Sequence, residues 1–127
     1  MSIARWLAVV WLLGACGASA GDAYVELGTG VDTFEALSDG GQIYIVQGPQ
    51  GGFHFLGSLR AGGIDPGDYN RLDAPDNPTT EFRVVRGVDR VDLMAARYVQ
   101  GLRPAGGGAY EMIGRLVILN ILSDAEL

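Results

Sequence analysis

Residues 42–59 read Gln42-Ile43-Tyr44-Ile45-Val46-Gln47-Gly48-Pro49-Gln50-Gly51-Gly52-Phe53-His54-Phe55-Leu56-Gly57-Ser58-Leu59, and this stretch decides the fold class. Its first five residues are a β-branched and aromatic run, the composition of a central strand. Pro49 fixes φ, and Gly51 and Gly52 tolerate positive φ, so the middle is a turn joining two antiparallel strands. In the second strand Phe53, Phe55, Gly57 and Leu59 share one face and His54 and Ser58 the other, the two-residue period of a sheet.

The same grammar extends in both directions. Ala23 to Leu27 alternates, with Val25 and Leu27 on one face and Tyr24 and Glu26 on the other. Residues 33–37 form a second short extended piece with Phe34 and Leu37 as core contacts, closed by the turn Ser38-Asp39-Gly40-Gly41. Residues 62–78 are rich in Gly, Pro, Asp and Asn and predict a long surface loop with an edge strand near Arg71-Leu72. Glu81 to Val85 resumes strand character, and Gly87-Val88-Asp89 turns into residues 91–99. There Val91, Ala95, Tyr98 and Val99 also fit a helical face, but the strands on either side favour a strand. Gly106-Gly107-Gly108 is a break, and Leu116-Val117-Ile118-Leu119 is the continuous apolar run of a strand buried on both faces. About seven short strands with Gly- and Pro-rich turns predict an all-β fold, an antiparallel β-sandwich of immunoglobulin-like type over residues 23–127. Both tryptophans lie before residue 12 and the only cysteine is Cys16, so the core is built without the Cys-Trp-Cys set of antibody domains.

Ahead of the strands stands a different kind of segment. Arg5 supplies a positive charge, Trp6 to Leu13 an apolar run, and Gly14-Ala15 the small residues before a peptidase cut. Trp6 to Cys16 spans 11 residues, too few to cross a bilayer as a helix, which takes about 20. The segment therefore reads as an export signal. Leu13-Gly14-Ala15-Cys16 resembles the lipobox of bacterial lipoproteins, whose cysteine is acylated and becomes the first mature residue. That resemblance implies a signal over 1–15, a tether over 16–22 and a membrane partner reached through lipid on Cys16. Since Gly17 is not the aspartate that retains such proteins at the inner membrane, it also implies the outer membrane facing the periplasm. A second route stays open: Ala18-Ser19-Ala20 followed by Gly21 fits ordinary signal cleavage after Ala20, which yields a secreted protein.

Charge narrows the partners. The chain has 9 basic and 15 acidic residues, a net charge of −6, and no lysine. Removing residues 1–15 takes away Arg5 and leaves 112 residues at −7, the size of one domain. Nucleic acid is excluded as a partner, because a phosphate polymer requires clustered cations and these arginines are scattered.

The residues with chemistry are few. His54 is the single histidine and cannot build a zinc site alone; its expected role is a ring hydrogen bond to the Gly48–Gly52 turn. Ser58 shares its face but lacks an orienting third residue, so no catalytic set is expected and the chain is read as a non-enzyme without cofactor. Asp65, Asp68, Asp73 and Asp76, with Asn70 and Asn77, put oxygen ligands in one loop and are weak calcium candidates that lack the EF-hand spacing. Tyr24, Tyr44, Tyr98 and Tyr110 are either an aromatic face for glycans or peptides or part of the core.

Glu26-Leu27-Gly28-Thr29-Gly30, Phe34 with Leu37-Ser38-Asp39-Gly40, Val46-Gln47-Gly48-Pro49-Gln50-Gly51-Gly52-Phe53-His54 and Ser58-Leu59-Arg60 together resemble the shared opening of a group of uncharacterised predicted bacterial lipoproteins. The resemblance covers residues 24–66 well and the rest loosely. It implies an exported, lipid-anchored, Ig-like domain with no assigned activity, and a chain that is short at its C-terminus by a strand or two. The expected function is a non-enzymatic interaction or structural role in the cell envelope with a protein partner; the alternative is a ligand-binding module for calcium or a glycan.

Overall fold

The computed structural model describes residues 7–13, as backbone alone, and 21–120. Nine strands run in chain order: β1 Leu7–Leu13, β2 Tyr24–Thr29, β3 Glu35–Ala36, β4 Val46–Gln47, β5 Phe53–Gly62, β6 Thr79–Val85, β7 Asp92–Val99, β8 Arg103–Gly106 and β9 Ala109–Leu119. No helix forms among the described residues. The protein is all-β, and every pairing is antiparallel. One sheet has the order β1-β6-β7; the other has the order β3-β2-β5-β9-β8, with β4 also on β5.

The two sheets bury one core. Phe53, Leu59 and Ala61 of β5 and Met112, Val117 and Leu119 of β9 meet Phe82 and Val84 of β6 and Leu93 of β7. Gly57 makes the closest approach possible: a Cβ there would lie 3.0 Å from both the Phe82 ring and a Val117 methyl. Residues 92–99 take the strand form, with Leu93, Met94 and Tyr98 against this core and Asp92 and Arg97 outside.

Several expectations fail for identifiable reasons. Residues 42–46 do not make a central strand; only Val46–Gln47 pairs, opposite His54 and Phe53. That edge of β5 is already taken, since β2 pairs with it from Ser58 to Gly62 and Thr29 Oγ1 donates to the Leu56 carbonyl at 2.8 Å. No strand forms at Arg71-Leu72. The loop is a chain of turns, with Arg71 N donating to Asp68 O, Ala74 N to Arg71 O and Asn77 N to Ala74 O. Residues 116–119 are buried on one face only: Val117 and Leu119 are inside, while Leu116 and Ile118 are about half exposed.

The Gly106–Gly108 break is a tight turn, three consecutive glycines at positive φ, and it joins β9 to β8, a strand not anticipated. The Gly48–Gly52 turn is as expected: Gly51 has φ of 87° and Gly48 N donates to Gly52 O at 2.7 Å. Phe34, expected in the core, lies instead on the outer face of the larger sheet, its ring 4.5 Å from the Arg60 guanidinium. Finally β1, drawn from the apolar run that begins at Trp6, pairs with β6 over its whole length, from Leu7 opposite Val85 to Leu13 opposite Thr79.

Candidate functional site

A cleft of about 670 Å³ lies between β2, the 36–43 segment and β6. Its construction follows from the sequence. Alternation along β2 turns Val25 and Leu27 inward, alternation along β6 turns Phe82 and Val84 toward them, and Phe55 lies between. Leu37 is tied in by its own N–H, which donates to the Leu27 carbonyl at 2.9 Å, and Gly41 N closes the next turn onto Ser38 O at 2.8 Å. The lining is mostly apolar, with Glu26, Asp39 and Arg83 as its charged members. Arg83 is held away from a ligand role by Asp92: Nη2 and Nε donate to its two carboxylate oxygens at 2.6 and 3.0 Å. These bonds keep the Asp92 carboxyl below the usual carboxylate range.

On the outer face of the larger sheet the register assembles a charge ladder that the sequence reading missed. Glu26 of β2 lies opposite Arg60 of β5, Arg60 opposite Glu111 of β9, and Glu111 opposite Arg103 of β8. Arg103 Nη2 donates to Glu111 Oε1 at 2.7 Å and Arg60 Nη2 to Oε2 at 3.3 Å. Burial pushes the Glu111 carboxyl up, but the two arginine hydrogen bonds outweigh it and hold the group below its ordinary range. A group with a lowered native pKa stabilises the fold above its unfolded value and loses that effect as pH falls through the native one. Glu111→Gln should therefore lower stability by about 1 kcal/mol at neutral pH, a figure kept small because both arginines are partly solvated. In denaturant melts the gap to the parent protein should close below about pH 4.5, the unperturbed glutamate value.

The sequence-predicted residues fare differently. Cys16 and both cleavage sites lie outside the described residues. Asp65 and Asp68 spend a carboxylate oxygen each on local turns, accepting from Gly67 N and Asn70 N at 3.0 Å, and Asn77 Oδ1 accepts from Asp68 N at 2.9 Å. Asp73 faces Arg71 at 3.7 Å. Among the described residues, Asp65, Asp68, Asp73 and Asp76 are not gathered into any cluster of three or more acidic, histidine or cysteine ligands.

The His54 ring makes no hydrogen bond to the turn, which its own backbone bonds close; the ring instead stands where a Cβ on Gly48 would touch it at 3.6 Å. Ser58 is fully buried, and its Oγ accepts from Gly114 N at 2.9 Å at a bulge in β9, where Gly114 has φ of 67°. His54 and Ser58 sit four residues apart along one strand, roughly 13 Å, beyond any proton transfer. The tyrosines divide. Tyr98 and Tyr110 pack against the core, and the Tyr98 hydroxyl donates to the Leu116 carbonyl, whereas Tyr44 is almost fully exposed and Tyr24 about half exposed. They form no single aromatic face.

No family model, curated protein or solved structure matches this chain.

Proposed function

We propose that this chain is an exported cell-envelope protein, an Ig-like sandwich held to a membrane by lipid on Cys16, which works by binding another protein and not by catalysis. One observation carries the reading: the single cysteine of the chain falls directly after Leu13-Gly14-Ala15, at the end of the apolar run from Trp6. A single acyl chain holds a protein only marginally, and the two or more that such cysteines carry hold it stably. No helix among the described residues is long and apolar enough to cross a membrane. A protein-binding role is supported by the apolar cleft beside β6 and by the exposed strip that Val46, Leu116 and Ile118 make on the outer face of the larger sheet. The outer membrane, facing the periplasm, is the proposed address, and release after Ala20 would make the same domain a secreted one. A calcium module in the 62–78 loop is the weaker reading, because Asp65 and Asp68 already serve backbone N–H groups there.

Metabolic labelling with an alkyne fatty acid tests the anchor. The parent chain should be labelled and partition into detergent extracts of the envelope; Cys16→Ser should lose the label and keep residues 1–15. Equal labelling of the two, or a cut after Ala20, would remove the anchor from the proposal.

A further inference from the structure

Strand β1 occupies the free edge of β6 through seven consecutive antiparallel pairs. On the reading proposed above, on which this inference rests, those same residues leave with the signal. Either cut, before Cys16 or after Ala20, strips β6 of one neighbour and leaves β7 as the other. The N–H and C=O groups along that edge then lack partners, the condition in which a strand recruits another chain. Natural edges are blunted by charged side chains, lysine above all, by proline or by a bulge; Thr79-Thr80-Glu81-Phe82-Arg83-Val84-Val85 has no lysine or proline, and its two charges are each paired toward β7, Arg83 with Asp92 and Glu81 with Arg97. Its bulge lies on the β7 side, between Val84 and Val85, and the β1 side is regular.

The shape of the vacated slot selects its occupant. β1 comes close to β2 of the facing sheet, and the cleft lined by Val25, Leu27, Leu37, Phe82 and Val84 reaches the same strand, β6, that β1 pairs with. What the structure itself seats on this edge is a single extended segment of seven residues, paired along its whole length. The charges of β6 are committed elsewhere, Arg83 to Asp92 and Glu81 to Arg97, and across the edge the register sets Val9 and Trp11 opposite them. The slot thus takes an uncharged strand.

We infer that the processed protein is a strand acceptor: the edge of β6 vacated by residues 7–13 binds an extended, uncharged, apolar segment of about seven residues from a partner polypeptide, antiparallel to β6 and over the adjoining cleft. Main-chain hydrogen bonds supply the affinity of such strand addition, and the cleft supplies side-chain selectivity. In the precursor, the chain's own signal segment holds the slot closed.

The test uses the chain processed by a bacterial host and purified in nonionic detergent, with intact mass establishing the cut. Neither cut leaves a free thiol, so Thr79→Cys introduces a single reactive one. The probe is a synthetic peptide of residues 6–14 with lysines appended at both ends and with either Leu13→Cys or Leu7→Cys. The β1 register puts position 13 opposite Thr79, and directly opposed residues of an antiparallel pair fall within disulfide reach. Position 7 is at the far end, roughly 20 Å away. Under oxidised glutathione the position-13 peptide should cross-link at least tenfold faster than the position-7 peptide. Fluorescence anisotropy should show saturable binding of the cysteine-free peptide to the parent protein, lost when alternate peptide nitrogens are methylated. Equal cross-linking rates, or binding indifferent to methylation, would overturn the acceptor. A purified chain that retains residues 1–15 would instead overturn the export reading, and the acceptor with it.

Discussion

Phe82→Ala is expected to remove about 3–5 kcal/mol of stability, the range for deleting a buried aromatic ring and leaving its cavity. Phe82 is 2% exposed and sits at the centre of β6, where both sheets converge. Across the core its ring fills the space over Gly57, and within its own sheet it meets the Tyr98 ring edge-on, with centroids 6.2 Å apart and planes at 73°. The site has little means of collapse. Gly57 offers no side chain to move into the void, and the other residue beneath, Val117, is β-branched and fixed between β5 and the core. Total stabilities of small domains are about 5–15 kcal/mol, and this one holds no disulfide within residues 21–120, so the substitution takes a large share of the whole. Denaturant melts provide the measurement, with Leu116→Ala as the comparison. Leu116 is on the facing sheet and turned outward, and its truncation should change stability by less than about 1 kcal/mol. Similar losses at the two positions would mean that the sheets do not pack through Phe82. Because Phe82 also lines the cleft, the same variant should weaken binding of the residue 6–14 peptide if enough of it folds to be assayed.

Strands whose alternation meets a single core were legible in the sequence: β5 and β6 stand where their side-chain pattern puts them, and β7, whose own pattern also fitted a helical face, was legible from the strands on either side. Position along an edge was not. Residues 42–46 have stronger strand composition than Val46–Gln47 alone, yet Thr29, thirteen residues upstream of Gln42, takes the Leu56 carbonyl that a longer β4 would need. Such competition is long-range and leaves no local trace. Leu116 and Ile118 misled for a related reason. A continuous apolar run signals two buried faces only where something covers the second, and here the register sets Leu116 opposite Leu56 and Ile118 opposite His54 on an open face. The ladder from Glu26 to Arg103 was equally hidden, since each member is an ordinary outward residue until the register aligns four strands. The arginine-only basic set hinted at carboxylate pairing but not at which carboxylates. The cleft beside β6 arises from the close approach of β2 and the 36–43 segment to a strand far along the chain, and alternation alone does not specify that distance.

Gly101→Val is the second substitution expected to be severe, and for a different physical reason. Gly101 does not have a positive φ, so backbone conformation permits a side chain there; space does not. A Cβ at this position would lie 2.2 Å from the carbonyl carbon of Asp68 and the nitrogen of Tyr69, both backbone atoms. A flexible side chain could swing aside, but backbone moves only with the turns that hold it. Here those turns are pinned on both sides of the glycine: Leu102 N donates to Pro66 O at 2.8 Å and Gln100 N to Pro78 O at 3.3 Å. Pushing residues 68–69 outward would also disturb Asn77, whose side chain accepts from Asp68 N and donates to Arg71 O, and would lift Leu102, 1% exposed, out of the core. Overpacking of this kind costs about 1–3 kcal/mol and sometimes more, and with backbone on the receiving side the expected loss is roughly 3 kcal/mol. Gly52→Ala makes the control, because a Cβ there meets nothing within 4 Å and φ is not positive. It should be close to neutral. Hydrogen exchange adds a local readout: the amides of Arg71, Ala74 and Asn77, each bonded within the successive turns, should lose protection in Gly101→Val well below the global unfolding transition and keep it in Gly52→Ala. Full protection of those amides in the valine variant would mean that the 62–78 loop does not rest on residue 101.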